Sequence, residues 1–225
     1  MTQAAIKGML FDADGVVYFR DEQTLMPILD FFKGKGVTLT AGEFEAAYGR
    51  RKLDAYKGRI SKDEHLRETL NHLQIQYDSL FFNQFKETFR ANYAAIKLGK
   101  GIRPLFARLK QEGLKIAVIT DTFSSEEQKW RWFRRIGLDT FIDVIVCSSE
   151  TGFTKDEMGS YAMALRKLNL KPKEVLFVGH QEYEMEGARK AGVTAVSLVK
   201  GIKEDIYVNS TDKLIHLICG KDGYV

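Results

Sequence analysis

Phe11-Asp12-Ala13-Asp14-Gly15-Val16 comes directly after an apolar run that begins at Ile6, and its reading decides the fold. By itself an Asp-x-Asp-Gly can be no more than a turn that ends a strand. It can also present two carboxylates at the end of a buried strand. Alternation along an extended chain would put Asp12 and Asp14 on one side, and Gly15 would permit a tight turn after them. The rest of the chain has to decide between the two.

From Gly101 onward short apolar runs alternate with helix-period segments. Arg103 to Glu112 reads as a helix with Leu105, Phe106 and Leu109 on one face, closed by Gly113, and Lys115 to Ile119 as a strand. A helix from Glu126 to Ile136 and a strand from Val144 to Cys147 come next, then a helix from Asp156 to Leu168 and a strand from Val175 to Val178. Glu184 to Ala191 reads as a short helix before Gly192, and Val193 to Leu198 as a further strand. Unbroken Val/Ile/Leu runs mark strands covered on both faces, so the expected class is α/β, a three-layer core with a parallel sheet between helices.

Between about Tyr18 and Tyr93 the pattern changes to helices without strands. Thr40 with Glu43 and Ser61 with Glu64 have capping-box spacing, and Phe81 to Ala95 is long, amphipathic and aromatic-rich. This segment is expected to be an all-helical insertion. Because it interrupts the chain just after the first strand, it is placed to fold over that strand's C-terminal end.

Ligands bind beyond the C-terminal ends of strands in such sheets, so the residues just past each apolar run are the candidates for chemistry. Asp12 and Asp14 stand after the first; Thr120 and Asp121 after Ile119; Ser148, Ser149 and then Lys155 after Cys147; His180, Glu182 and Glu184 after Gly179. Carboxylates, a hydroxyl and a lysine on one rim suit phosphoryl transfer, which depends on positioning and on neutralising phosphate charge. One aspartate can attack phosphorus and the other can serve the leaving-group oxygen. Among other basic residues, Arg50 and Arg51, with Lys52, Lys57 and Arg59, could meet an anionic remainder of a substrate or simply line a solvated helix.

Composition narrows the alternatives. With 225 residues and 44% apolar content the chain can bury a substantial core, and 34 basic against 30 acidic residues give +4, spread too evenly for a polyanion-binding stripe. Trp130-Arg131-Trp132-Phe133-Arg134-Arg135 mixes bases with aromatics, but its apolar residues fall at helical spacing, so no nucleic-acid partner is expected. Cys147 and Cys219 are too few for a disulfide framework, and His65, His72 and His216 have no partner at metal-ligand spacing. A first strand beginning at Ile6 leaves no room for a leader, and no apolar run approaches the ~18 residues of a membrane span, so a cytoplasmic protein without a membrane partner, monomeric or homodimeric, is expected.

On these residues the chain resembles the haloacid dehalogenase-like hydrolase superfamily, over nearly its whole length. Phe11 to Val16 looks like the family's first motif, Ile116-Ala117-Val118-Ile119-Thr120 like the second, and Lys155 ahead of Ser160 to Leu165 like the third. Val178-Gly179-His180-Gln181-Glu182-Tyr183-Glu184, continuing to Ala188 and Ala191-Gly192, looks like the fourth. The resemblance implies a Rossmann-like core from 1–17 and 94–225, and a helical cap from 18–93 in which Tyr56-Lys57-Gly58-Arg59-Ile60-Ser61 is similar to a turn of small-molecule phosphatase caps. It implies Asp12 as nucleophile, Asp14 as acid/base, Thr120, Asp121 and Lys155 as phosphate-binding residues, and a small phosphorylated metabolite as substrate. It also implies Mg²⁺, held by Asp12, the carbonyl of residue 13 and a fourth-motif carboxylate, with Asp14 counted among the metal residues.

Two departures stand out. His180 and Glu184 occupy positions where the family carries aspartates, which leaves three outcomes open: Glu184 or Glu182 reaches the metal, His180 favours Mn²⁺ or Zn²⁺, or metal and turnover are lost. Asp156 comes after Lys155 where a proline is common, which should loosen that loop. The rival functions are therefore a non-catalytic binding or regulatory protein and a 2-haloacid dehalogenase, the latter disfavoured by Asp14, since halide departure needs no proton.

Overall fold

The computed structural model describes residues 5–20 and 25–219. The ends of the expected core at 1–4 and 220–225, and the Cys219 side chain, lie outside the described residues. The first apolar run forms strand β1 (Gly8–Asp12), every residue of it buried. After it come β2 (Tyr18–Phe19), the helices α1 (Met26–Gly34), α2 (Ala41–Gly49), α3 (Lys52–Tyr56), α4 (Lys62–His72) and α5 (Ser79–Tyr93), and β3 (Lys97–Leu98). Next are α6 (Ile102–Gln111), β4 (Lys115–Thr120), α7 (Glu126–Arg135), β5 (Val144–Cys147), α8 (Ser148–Thr151), α9 (Met158–Leu168) and β6 (Val175–Gly179). Then α10 (Glu182–Lys190), β7 (Thr194–Ser197), β8 (Ile206–Tyr207) and α11 (Thr211–Cys219) complete the described chain.

Six strands form one sheet in the order β5-β4-β1-β6-β7-β8, with β1 parallel to β4 on one side and to β6 on the other. The chain runs outward from β1 to β5 and then crosses back to β6, so the crevice where strand order reverses opens at the C-terminal end of β1. Alternation along the strands separates two apolar layers. Met9, Phe11, Val118 and Val178 pack against α6 and α7 through Leu105, Phe106 and Phe133. Leu10, Ile119 and Phe177 pack on the other side against Tyr161 and Leu165 of α9 and Met185 of α10. Burying each such side chain is worth about 1.5–3 kcal/mol, so the strand that ends in Asp12 is anchored from both faces.

Helices α1 to α5 have an aromatic core of their own, in which Phe32, Phe44, Phe82, Phe85 and Phe89 are buried. Local sequence starts these helices: Thr40 and Glu43 make the full capping box before α2, and the Ser61 hydroxyl accepts from the Glu64 amide before α4. One expectation is corrected at the edge of this unit. Tyr18 and Phe19 are not part of a strandless segment; they pair antiparallel with Leu98 and Lys97 as a two-stranded ribbon below the helices. Strands this short leave no periodic trace in a sequence. Helix α9 also begins at Met158 rather than Asp156, because Thr154 takes Asp156 and Glu157 as hydrogen-bond partners in the preceding loop.

The helical unit contacts the loops at the C-terminal rim of the sheet. Lys57 Nζ lies 2.6 Å from Glu157 Oε2, and Tyr56, Phe89 and Tyr93 ring-pack on Phe123 in the loop after β4. Gly58, at φ +66°, lies so close to the Ser149 carbonyl that a Cβ would collide with it. Of the isolated histidines, His65 is buried against the Tyr48 ring, while His72 and His216 are exposed. Cys147 is a buried free thiol. No described helix is long and apolar enough to cross a membrane.

Candidate active site

Asp12 stands at the last position of β1 with 1% of its surface exposed. The extended chain ends there, short of the alternation that would carry it to Asp14. The Ala13 carbonyl accepts hydrogen bonds from the Val17 and Tyr18 amides, so the turn is already under way at Ala13. That carbonyl, expected to face a metal, is thus engaged in the turn. Gly15 sits at φ +92° with the His180 ring against it, and a Cβ there would fall 2.6 Å from His180 Nε2. The position demands glycine for both reasons.

Lys155 meets Asp12 across the rim. Its ammonium contacts Asp12 Oδ1 directly, lies 2.9 Å from Glu184 Oε1 and 3.8 Å from Asp121 Oδ2. The loop that carries it is not loosened by Asp156. The Lys155 amide donates to Asp121 Oδ1 at 3.0 Å, its carbonyl accepts from the Tyr161 hydroxyl at 3.0 Å, and Lys190 Nζ donates to the Asp156 carbonyl at 3.0 Å. Gly187 of α10 packs so tightly on the Lys155 carbonyl that a side chain has no room.

Glu184 is fully buried in the first turn of α10. Its Oε2 accepts from the His180 and Gln181 amides at 2.9 and 3.1 Å, an arrangement favoured by the positive end of the helix dipole. This fixes the side chain and leaves Oε1 pointing at Lys155. His180 completes the group, with Nδ1 3.2 Å from Asp12 Oδ2 and 3.6 Å from Glu184 Oε2.

The charges are strongly coupled. Burial opposes the Lys155 ammonium, yet Asp12, Asp121 and Glu184 outweigh it and hold the amine well above the ordinary lysine range. Burial likewise raises Asp12, but Lys155 and His180 more than compensate and keep it ionised below the ordinary aspartate value. Burial first, and then the Asp12 charge, push the Glu184 carboxyl up. Three carboxylates therefore face one lysine and one histidine in a low-dielectric pocket, an imbalance that a cation would relieve. Asp12 Oδ2, His180 Nδ1 and Glu184 Oε1 are all buried without a hydrogen-bond partner among the described residues, and these three side chains offer ligand atoms within 4.8 Å of one another. The group fits a divalent ion.

Other expected residues fall elsewhere. Asp14 stays outside the Asp12, His180 and Glu184 set, with its carboxylate ion-paired to Arg20, so it does not join them as a metal ligand. It lines a cavity of about 360 Å³ between the rim and the helical unit, together with Arg20, Tyr48, Lys52, Tyr56 and Tyr93. Asp121 spends Oδ1 on the Lys155 amide and turns Oδ2 toward its ammonium, so its side chain supports Lys155; an anion there would repel phosphate. Arg50 is exposed, and Arg51 is bound by Asp54 and Glu68; it is Lys52 that reaches the cavity. Glu182 pairs with Lys203 instead of the metal group. Thr120 is buried at the end of β4 within hydrogen-bonding reach of the Tyr18 hydroxyl.

Sequence reasoning misses Arg20, Lys52 as distinct from its neighbours, and Lys129. Lys129 is 1% exposed, donates to the Tyr18 hydroxyl at 2.8 Å and lies 4.3 Å from the Trp132 ring centroid. Burial, with a smaller contribution from Arg20, pulls its amine down to about 7. The only signal of Arg20 is its position just past the first motif.

Known proteins resemble this chain over nearly its whole length. The chain is 27% identical over 227 residues to PpaX of Caldanaerobacter subterraneus subsp. tengcongensis, a candidate pyrophosphatase, covering 96% of each chain. It is 26% identical to the glyceraldehyde 3-phosphate phosphatase of Methanocaldococcus jannaschii, covering 95% of this chain and 97% of that one. Among solved structures, the 2-haloacid dehalogenase of Pseudomonas syringae pv. Tomato superposes with a TM-score of 0.73 at 18% identity over 93% of this chain and 96% of that one, which speaks to the fold. The family model for haloacid dehalogenase-like hydrolases matches residues 6–192, from the start of the first strand through the fourth motif, and the chain belongs to that family.

Proposed function

We propose that this hydrolase is a phosphatase that takes the phosphoryl group from a small phosphorylated metabolite onto Asp12 and then gives it to water. The observation that carries the reading is the buried Asp12 carboxylate held ionised against the Lys155 ammonium at the end of the central strand. Relatives of nearly the same length named as phosphatases support it. Residues 18–93 would act as a cap over a core made of 1–17 and 94–225, and the cavity beside Asp14 would hold the non-phosphate part of the substrate.

In the first step the Asp12 carboxylate forms a bond to phosphorus as the ester oxygen departs, and Asp14, parted from Arg20 and protonated in the substrate complex, supplies that oxygen with a proton. Lys155 and Thr120 bind the phosphoryl oxygens, and the buried Lys155 ammonium offsets their charge. In the second step water attacks the same phosphorus, the Asp12 oxygen leaves, and Asp14 takes the proton back. A divalent cation held by Asp12, Glu184 and His180 would add further charge neutralisation; Mg²⁺ is the ion the family resemblance implies.

Hydrolysis of p-nitrophenyl phosphate tests this. Wild type is expected to release nitrophenol when a divalent cation is supplied, and Asp12→Asn and Lys155→Met to lose ~10³-fold or more in kcat/KM. Full activity in Asp12→Asn would end the proposal. Chloride release from 2-chloropropionate, without phosphate release from any ester, would assign the nucleophile to carbon.

A further inference from the structure

We propose that His180 is a direct nitrogen ligand that shifts the metal preference of this site from Mg²⁺ toward ions that accept imidazole, Mn²⁺, Co²⁺ or Zn²⁺. The proposal rests on the phosphatase reading only for the purpose of the ion. Its own basis is the donor set. His180 Nδ1 and Asp12 Oδ2 lie 3.2 Å apart, both buried and each facing the other as an ion pair. Metal–ligand bonds of ~2.1 Å place neighbouring ligands ~3.0 Å apart in an octahedron and ~3.4 Å apart in a tetrahedron, so an ion can take the place of the direct His180–Asp12 contact with little movement of either side chain.

The third donor is built in. Glu184 is locked by two backbone amides through Oε2, while Oε1 faces the Lys155 ammonium 2.9 Å away as an ion pair and takes no hydrogen bond among the described residues. Two carboxylates and an imidazole form a set that hard Mg²⁺ fits poorly, because Mg²⁺ takes oxygen ligands in a near-ideal octahedron. The same set suits the later divalent ions of the first row. The other ring nitrogen has an orienting partner as well. Gln181 Nε2 lies 3.1 Å from His180 Nε2, and a half-turn of that amide lets its oxygen take the Nε2 proton and leave Nδ1 bare for the metal. The His180 ring lies over Gly15, in space that only a residue without a Cβ leaves free.

The test is calorimetric titration of the full-length, chelator-stripped protein with Mg²⁺ and with Zn²⁺, in wild type and His180→Asp. The expected result is that wild type prefers Zn²⁺, and that His180→Asp lowers the ratio of Kd(Mg²⁺) to Kd(Zn²⁺) by ~10-fold or more by restoring an oxygen donor. An unchanged ratio, or no ion bound by wild type, overturns the proposal. Should the variant fold poorly, the ¹⁵N resonances of the His180 ring in wild type decide: coordination shifts Nδ1 on adding Zn²⁺, and an Nδ1 that stays put overturns it. Failure of the phosphatase reading would show separately, as no ester hydrolysis with any of these ions, and would leave the binding ratio untouched.

Discussion

At the residue scale the site depends on burying charge where neutral side chains would fold more easily. Lys129 shows this most plainly, since it is enclosed by Tyr18 and Trp132 and its hydrogen bond goes to a hydroxyl instead of a carboxylate. Its folded value of about 7 lies below the 10.5 of a free lysine, so between those values the unfolded chain holds a proton that the folded one lacks. Stability should therefore rise with pH through that window, at up to ~1.4 kcal/mol per pH unit, and the burial cost is felt in full below it. Urea unfolding at pH 7.5 and 9 should show this rise in wild type and not in Lys129→Met; parallel pH dependences would contradict it. The residue is illegible in the sequence for a physical reason: its partner Tyr18 is 111 positions away, and only the fold brings them together. Asp12, Thr120, Lys155 and Glu184 can be found because each lies past an apolar run at the same end of the sheet. Arg50 and Arg51 cannot be told from Lys52, because the turn between α2 and α3 decides which cation meets the cavity and which meets Asp54 and Glu68.

At the element scale the buried strands are the most legible part, since continuous apolar runs bounded by turn residues have few other readings. The ribbon of β2 and β3 is not, and neither is the true start of α9, where Asp156 and Glu157 serve the Lys155 loop before the helix begins. The seam between α3 and α8 is where elements could control access to the site. Gly58 is required there by its positive φ and by the Ser149 carbonyl beside it. Gly58→Ala should push the helical unit off the rim and lower kcat/KM by ~10-fold, while the far-UV circular dichroism stays that of wild type. An unchanged kcat/KM would mean that contact at this seam has no part in catalysis.

At the scale of the whole molecule, a parallel sheet brings residues from four separate stretches of chain to the end of β1, and a helical unit with its own aromatic core lies against the same rim. The sheet supplies rigidity: Asp12 is fixed from both faces, Lys155 by Asp121 and Tyr161, and Glu184 by the amides that begin α10. The central claim is that Asp12 carries the phosphoryl group. A direct measurement is to mix the protein with excess phosphate ester for a fraction of a turnover, quench in acid, reduce the acyl phosphate with borohydride and map the modified residue by mass spectrometry. Homoserine at position 12, formed only when substrate is present, is the result expected; substrate turnover with Asp12 unmodified would contradict it.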